Sequence, residues 1–314
     1  LFGCSLLARL RLRLARVEFV TLGLALGVLG FSLAMFTLGL LRLLYAPVFV
    51  LLPVGLAAFG TPWAWRHREA VLDTMRAARN AKLRPSAVAV GALGALGVLF
   101  IYLQILTPDV LSFDVRMYHY PLAQRYAFTH EVAATAEGFW MAAYPQLATY
   151  IYCWAFLAPL PLLFDRIGLC THLELALFLA TLAQIPVLVR KLVPKARAGA
   201  SWALLFAFPA IFVYDSNLNG GADHVAAFFA IPIALSLWRA ARYLDWRSAL
   251  LFSALLSAAA LTKYTAAIVV IPAGLAMLGA AVYRCARRRD RRTLLGLGVL
   301  IVVPLLLTTP HSLK

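Results

Sequence analysis

Charged residues are scarce in this chain, and acidic ones are the scarcest. Asp and Glu together number 13 among 314 residues, and all charged residues make up 13% of the chain. A soluble domain carries roughly 25%, whereas 63% of this chain is hydrophobic. The composition therefore excludes an ordinary soluble domain.

Cysteine pairs and familiar catalytic motifs are also missing. The four cysteines stand far apart at Cys4, Cys153, Cys170 and Cys285, without the CxxC spacing of zinc or redox sites. The chain has no glycine-rich phosphate loop and no GxSxG nucleophile motif. The sequence thus gives no basis for a P-loop hydrolase, a zinc finger or an α/β-hydrolase.

What the chain does have is a series of apolar runs. Several are about 18 to 25 residues long, enough for a helix to cross a hydrocarbon layer of roughly 30 Å. The first run is too long for a cleaved signal peptide. We expect an all-α, polytopic integral membrane protein, and since the chain opens on Leu1 we expect an upstream piece to be missing.

Basic residues lie mainly between the apolar runs. Lys and Arg number 29, for a formal charge of +16, and about 23 of them fall into five short segments, a distribution typical of cytoplasmic loops. Anionic lipid headgroups attract such segments, so membrane lipids are expected partners and nucleic acid is not. The segments are residues 9–16, 66–84, 190–197, 239–247 and 284–292.

With the basic segments inside, the charge pattern predicts about nine transmembrane helices. The run 147–164 would break the alternation if it crossed. Because prolines interrupt it and aromatic residues enrich it, we expect it to lie along the outer membrane surface. The predicted spans are 17–41, 45–65, 85–106, 172–189, 200–214, 225–238, 248–261, 266–283 and 293–307.

This topology places an external loop over residues 107–146. Within it, residues 112–121 read SFDVRMYHYP, an acid, an Arg and a His between long apolar runs. Ionisable residues close to hydrocarbon are usually functional. Asp223 and His224 also face outward, and Lys263 lies at the outer end of a span, so we expect any chemistry on the outer face.

Four short motifs resemble those of the GT-C glycosyltransferases, polytopic enzymes that take a sugar from a polyprenyl-phosphate donor. The bacterial members akin to protein O-mannosyltransferases and lipid A aminoarabinose transferases are the most similar. The motifs are Asp114 with Tyr-His-x-Pro at 118–121, AYPQ at 143–146, NGGAD at 219–223 and LTKYT at 261–265.

The resemblance implies an inverting glycosyltransferase in which Asp114 acts as general base toward the acceptor. Cations would stabilise the departing phosphate, and the acceptor would be a lipid, a glycan or a protein. A divalent metal is possible, although the sequence assigns it no ligands, and no other cofactor is indicated. The expected substrate-binding residues are Arg116, Tyr118, His119, Arg125, Asp223, His224 and Lys263.

Each of these residues has a simpler interpretation. Asp114 is suited to cap a helix, Asp223 to open one, and Lys263 to extend its ammonium toward the membrane surface. Tyr118 and His119 are also compatible with ordinary packing at an interface. A transporter or flippase of a polyprenyl-linked or other amphipathic solute is the main alternative function, and it would place ionisable residues inside the spans.

We expect a single domain over residues 1–314, with a span pair and cytoplasmic connector at 1–84 and a catalytic-core-like region at 85–314, where the resemblance lies. Two features depart from the family. Three spans precede the catalytic loop where one is usual, and GT-C enzymes usually continue further, so a C-terminal part is expected to be missing. The resemblance implies a bacterial inner membrane, with the site facing the periplasm.

Overall fold

The computed structural model describes residues 1–69, 72, 73, 76, 84–106, 112–135, 139–159, 164–193, 200–207, 218, 220–288 and 291–312. Over these ranges every regular element is a helix and no strand occurs. The predicted all-α class is confirmed. Most of the expected connector at 66–84 lies outside the described residues.

Eleven α-helices form the framework of the described chain. They are α1 (Phe2–Arg9), α2 (Arg16–Leu40), α3 (Val48–Arg66), α4 (Pro85–Ile105), α5 (Tyr120–Thr129), α6 (Leu147–Phe156), α7 (Arg166–Leu192), α8 (Asp223–Tyr243), α9 (Trp246–Ala260), α10 (Ala267–Arg288) and α11 (Arg291–Ser312). A π-helical turn, Val115–His119, runs directly into α5, and 3-10 turns cover Trp140–Ala143, Ala200–Ala207 and Tyr264–Ala266.

Seven helical segments in the described ranges are long and apolar enough to cross a membrane: α2, α3, α4, α7, α8, Tyr264–Arg287 and α11. The chain is therefore compatible with a polytopic membrane protein. Two predicted spans are not among these seven. Of the span 200–214 only a short turn over Ala200–Ala207 is described, and α9 has only 15 residues.

Although α9 is short, it matches its neighbour α8 at both ends. At one end Arg239 Nε donates to Ser248 Oγ at 3.2 Å. At the other, Lys263 just beyond α9 donates to Asp223 Oδ2 at 2.8 Å. The two helices are thus an antiparallel hairpin, and α9 with Leu261 to Lys263 covers the same depth of the bundle as α8.

The basic segments gather at one end of the bundle, as the sequence predicts. Arg239 donates to the carbonyl oxygen of Arg13 at 2.8 Å, and Lys191 pairs with Glu18 at 2.7 Å. Arg284 donates to the carbonyl oxygen of Arg242 at 2.9 Å. These contacts join four of the five basic segments, and we call this the basic end.

The opposite end is formed by residues 112–135 and 139–159 packed against the ends of the long helices, and we call it the loop end. Arg42, after α2, pairs with Glu131 at 2.7 Å. The backbone N–H of Leu147 donates to the carbonyl oxygen of Leu261, after α9, at 2.7 Å. Much of the predicted external loop is therefore ordered helical structure over the bundle.

The segment 147–164 is more deeply buried than the sequence predicts. Its described helix, α6, ends at Phe156. This helix lies across the loop end, from Leu261 to the start of α3, where Trp154 donates to the carbonyl oxygen of Phe49 at 2.9 Å. However, nine of its ten residues are buried, so the helix is covered by protein rather than exposed. Its aromatic side chains pack between α5 and the long helices α2 and α7 because apolar surface is available on both sides.

The N-terminal helix α1 was not predicted. It packs antiparallel to α2, with Gly3 against the backbone of Gly23 and Gly27. A side chain at Gly3 would overlap that backbone, so the close approach requires glycine. Small residues allow helices to pack closely in apolar surroundings.

Candidate functional site

Three residues from separate segments meet at the loop end. Lys263 Nζ lies 2.8 Å from Asp114 Oδ2 and 2.8 Å from Asp223 Oδ2. The Lys263 side chain is 9% exposed, whereas that of Asp223 is 62% exposed. A buried ammonium therefore joins two carboxylates that reach the surface. We call these three residues the carboxylate–lysine cluster.

Different elements bring each member of the cluster into place. Asp114 immediately precedes the π-helical turn, and Asp223 is the first residue of α8. Lys263 has an extended backbone (φ −156°, ψ 144°) between α9 and the turn Tyr264–Ala266. This extended residue turns the chain out of α9 and directs the ammonium toward the other two segments.

The simpler interpretations of these residues do not describe what their side chains do. The Asp114 carboxylate makes no capping hydrogen bond. It instead pairs with Lys263 and hydrogen-bonds Tyr118, four residues further on. Lys263 does not extend to water, because its ammonium is held by two carboxylates. Asp223 keeps a position favoured by the helix dipole while it also binds Lys263.

The pairing sets the charge of the cluster. Burial alone would raise the pKa of Asp114, but the hydrogen bond and charge of Lys263 outweigh it, and the pKa is lowered. For Lys263, burial alone would lower the pKa, but the hydrogen bonds to Asp114 and Asp223 raise it. At neutral pH the ammonium and Asp114 are therefore both charged.

His119 lies beneath the cluster and is fully buried. Its Nδ1 is 2.8 Å from Thr149 Oγ1 on α6, and its Nε2 has no hydrogen-bond partner among the described residues. Burial and then the charge of Lys263 lower the pKa of His119 to about 4. The imidazole is neutral at pH 7 and positioned by α6, out of direct contact with solvent.

A buried acid fixes the segment that carries Asp223. Glu174 of α7 is 1% exposed and accepts a hydrogen bond from the Gly220 backbone N–H at 2.6 Å. Its other oxygen lies 2.8 Å from Nδ1 of His224, the residue after Asp223. Tyr152 of α6 donates to the carbonyl oxygen of Gly221 at 2.7 Å. His224 thus positions the site rather than facing solution.

Gly220 links this segment to the one that carries Asp114. Its φ is +86°, a left-handed conformation that side chains disfavour. A Cβ at this position would overlap the hydroxyl of Tyr120 and lie 3.2 Å from Val115 Cγ1. The π-helical turn after Asp114 therefore rests directly on the Gly220 backbone, which Glu174 holds in place.

Two predicted phosphate partners lie away from the cluster. Arg125, on α5, donates to the carbonyl oxygen of Ala134 at 3.3 Å. Arg116 lines a groove of about 660 Å³ that Arg166 and Gln124 also line, and no member of the cluster does. Lys263 is the predicted cation that pairs with Asp114 through its ammonium, at 2.8 Å.

The described residues contain no group of three or more His, Cys, Asp or Glu side chains arranged to hold a metal ion. Asp114 and Asp223 are the acids that face each other at the site, and the ammonium of Lys263 lies between them. In this arrangement the single positive charge of the lysine offsets part of the negative charge of the two carboxylates.

The sequence prediction missed Glu174 and Thr149. Glu174 was noticeable as an acid within a long apolar run, and intramembrane acids are usually functional or paired. Nothing in the pattern indicated that its partners are Gly220 and His224. Thr149 carried no signal, because a threonine in an apolar helix is unremarkable.

No known protein family, curated protein or solved structure matches the chain. The resemblance to GT-C enzymes therefore rests on the four short motifs alone. The functional argument that follows depends on the carboxylate–lysine cluster and on its position at the end opposite the basic segments.

Proposed function

We propose that this chain is an integral-membrane glycosyltransferase of the GT-C type, with about nine spans. It would move a sugar from a polyprenyl-phosphate donor to an acceptor on the outer face of a bacterial inner membrane. The observation that carries the proposal is the meeting of Asp114, Asp223 and Lys263. They come from three of the four motifs that resemble the family.

The position of the cluster supports a lipid-linked donor. The cluster lies at the loop end, where the long helices α8 and Tyr264–Arg287 begin. Basic segments favour the cytoplasmic side, so the loop end faces outward in this proposal. A phosphate headgroup at the membrane surface would then lie at the level of Lys263.

The reaction needs a base and a cation. In the proposed step the acceptor oxygen forms a bond to the anomeric carbon while the bond from that carbon to the phosphate oxygen breaks. Asp114 takes the acceptor proton and polyprenyl phosphate leaves, so a single displacement inverts the anomeric centre. Lys263 stabilises the negative charge that develops on the leaving phosphate.

The contacts of Lys263 suggest how donor binding prepares the base. While Lys263 contacts Asp114, the pKa of that carboxyl is lowered and the carboxylate is a weak base. An arriving phosphate competes for the same ammonium. When Lys263 turns toward the phosphate, the pKa of Asp114 rises toward its ordinary value, and Asp223 keeps the ammonium close.

The direct test uses membranes that contain the full-length protein and a radiolabelled polyprenyl-phosphate sugar. Asp114→Asn removes the base with little change in shape and should reduce label transfer at least a hundredfold, the usual range for a catalytic base. The matched control is Asp73→Asn, an exposed acid, which should leave transfer unchanged. Equal transfer by the Asp114→Asn variant and the unmodified protein would refute the assigned role.

One observation favours a transporter as the second candidate. Glu174 lies inside a candidate span and is paired with His224, and acid–His pairs within membranes can relay protons. A transporter would move a solute across sealed vesicles in a pH-dependent manner, and Glu174→Gln would abolish the flux. A glycosyltransferase would instead transfer label in open membranes without a gradient.

A further inference from the structure

Four aromatic rings lie beside the carboxylate–lysine cluster. Tyr144 is at their centre, with ring-centroid distances of 5.5 Å to Tyr118, 5.3 Å to Tyr264 and 5.2 Å to Trp140. The contacts with Tyr118 and Trp140 are edge-on, a favourable geometry for aromatic pairs. The rings pack against one another with their planes inclined, by 88° between Trp140 and Tyr144 and by 45° between Tyr144 and Tyr264.

This surface is part of the site and is open to solution. Tyr264 directly follows Lys263 in the chain, and the hydroxyl of Tyr118 hydrogen-bonds Asp114. Tyr118 is buried, whereas Trp140 and Tyr264 are exposed and Tyr144 is partly exposed. We call Trp140, Tyr144 and Tyr264 the aromatic platform.

Exposed Trp and Tyr residues often serve only to anchor a protein at the headgroup level. Such anchors need no polar partner beyond water and lipid. Here the rings border two carboxylates, so exposed apolar ring faces adjoin strong hydrogen-bond acceptors. A sugar ring has the complementary chemistry, since one face presents C–H groups and its edge presents hydroxyl donors.

We propose that the aromatic platform binds a sugar ring of a carbohydrate acceptor and holds its hydroxyl toward Asp114. The role as an acceptor site rests on the proposed function, but binding of the ring does not. Trp140 and Tyr264 each offer an exposed ring face on which a sugar ring can stack, and Asp114 and Asp223 accept hydrogen bonds from hydroxyls. The site therefore favours a glycan acceptor over a protein or a simple lipid.

Binding is tested without the donor, by saturation-transfer NMR on the purified full-length protein with methyl glycosides of glucose, galactose and mannose. At least one should show saturation at the ring C–H protons. Trp140→Ala should weaken that binding about tenfold, and Trp140→Phe should restore most of it. Trp65→Ala, at an exposed Trp of the basic end, is the matched control and should bind normally.

The outcomes separate this inference from the proposed function. Glycoside binding that depends on Trp140, without label transfer in the donor assay, would support the platform and refute the transferase. Transfer of label to a peptide or lipid, by a protein that does not bind the glycosides, would support the transferase and refute the platform. No glycoside binding, or binding unaffected by Trp140→Ala, would overturn the platform.

Discussion

Lys263 Nζ lies 2.8 Å from Asp114 Oδ2, a contact that joins the end of α9 to the segment leading into α5. The pair connects two regions far apart in the chain at the end of the bundle opposite the basic segments. Its energy can be measured with Asp114→Asn, Lys263→Met and the double variant. We expect a coupling free energy of unfolding of about 1 kcal/mol, because Asp114 is partly exposed and solvent weakens the pair.

The matched cycle uses Arg76 and Asp73, an exposed ion pair. Chemical denaturation in detergent should give a coupling close to zero for that pair. A coupling near zero for Asp114 and Lys263 as well would mean that their contact does not stabilise the fold.

Acidification should destabilise the protein through His119. Its pKa is about 4 in the folded protein, below the ordinary value near 6.5. The unfolded chain therefore takes up the proton first as pH falls, and stability is lost progressively between about pH 6.5 and pH 4. From pH 7 to pH 5 the loss from this residue is about 2 kcal/mol.

Thermal unfolding at several pH values provides the measurement, with His119→Asn as the comparison. The variant should be less stable at pH 7 but show a smaller drop between pH 7 and pH 5. Parallel pH profiles for the two proteins would contradict a buried, neutral His119.

Gly220→Ala should destabilise the loop end by about 1–3 kcal/mol, because alanine is strained at a φ of +86° and its Cβ would overlap the Tyr120 hydroxyl. Gly279→Ala is the control, since no atom lies within 4 Å of a Cβ at that helical position and alanine favours helix. Thermal unfolding should show a loss for the first variant and none for the second. Equal melting temperatures would indicate that Gly220 is not constrained.

The orientation of the chain in the membrane can be tested with two single-cysteine substitutions, each made in a chain whose Cys4 and Cys285 are replaced by serine. Cys153 and Cys170 can remain because both are buried. Phe128, 83% exposed at the loop end, and Trp65, 68% exposed at the basic end, are suitable positions. An impermeant thiol reagent added to intact cells should label Phe128→Cys and not Trp65→Cys. The opposite pattern would invert the proposed topology.

Much of the bundle could be predicted from charge and hydropathy. The five basic segments are separated by apolar runs in the sequence, and the contacts of Arg13 with Arg239 and of Arg242 with Arg284 bring such segments to one end. The burial of α6 could not be predicted, because aromatic residues such as Tyr150 and Tyr152 suit a membrane interface and a protein core equally well. Only the position of α5 over α6 decides between them.

The charged residues of the site could be predicted from the sequence, but the residues that position them, Glu174 and Thr149, could not. Asp114, Asp223 and Lys263 were selected by motif and by predicted side, but their contact depends on the way α8 and α9 pair. Arg116 was selected with them as a cation for the departing phosphate, and it stands two residues from Asp114. In a helical turn that spacing directs the two side chains to different sides, and Arg116 lines another groove.

The most direct test of the account is transfer of label by the purified full-length protein in lipid nanodiscs. The protein would receive a polyprenyl-phosphate sugar labelled in the sugar, together with the methyl glycosides as acceptors. The account predicts a labelled glycoside with inverted anomeric configuration, and loss of that product in both Asp114→Asn and Lys263→Met. Full product formation by either variant would contradict the claim that this cluster transfers sugar, and an unconsumed donor would contradict transfer to a glycan acceptor.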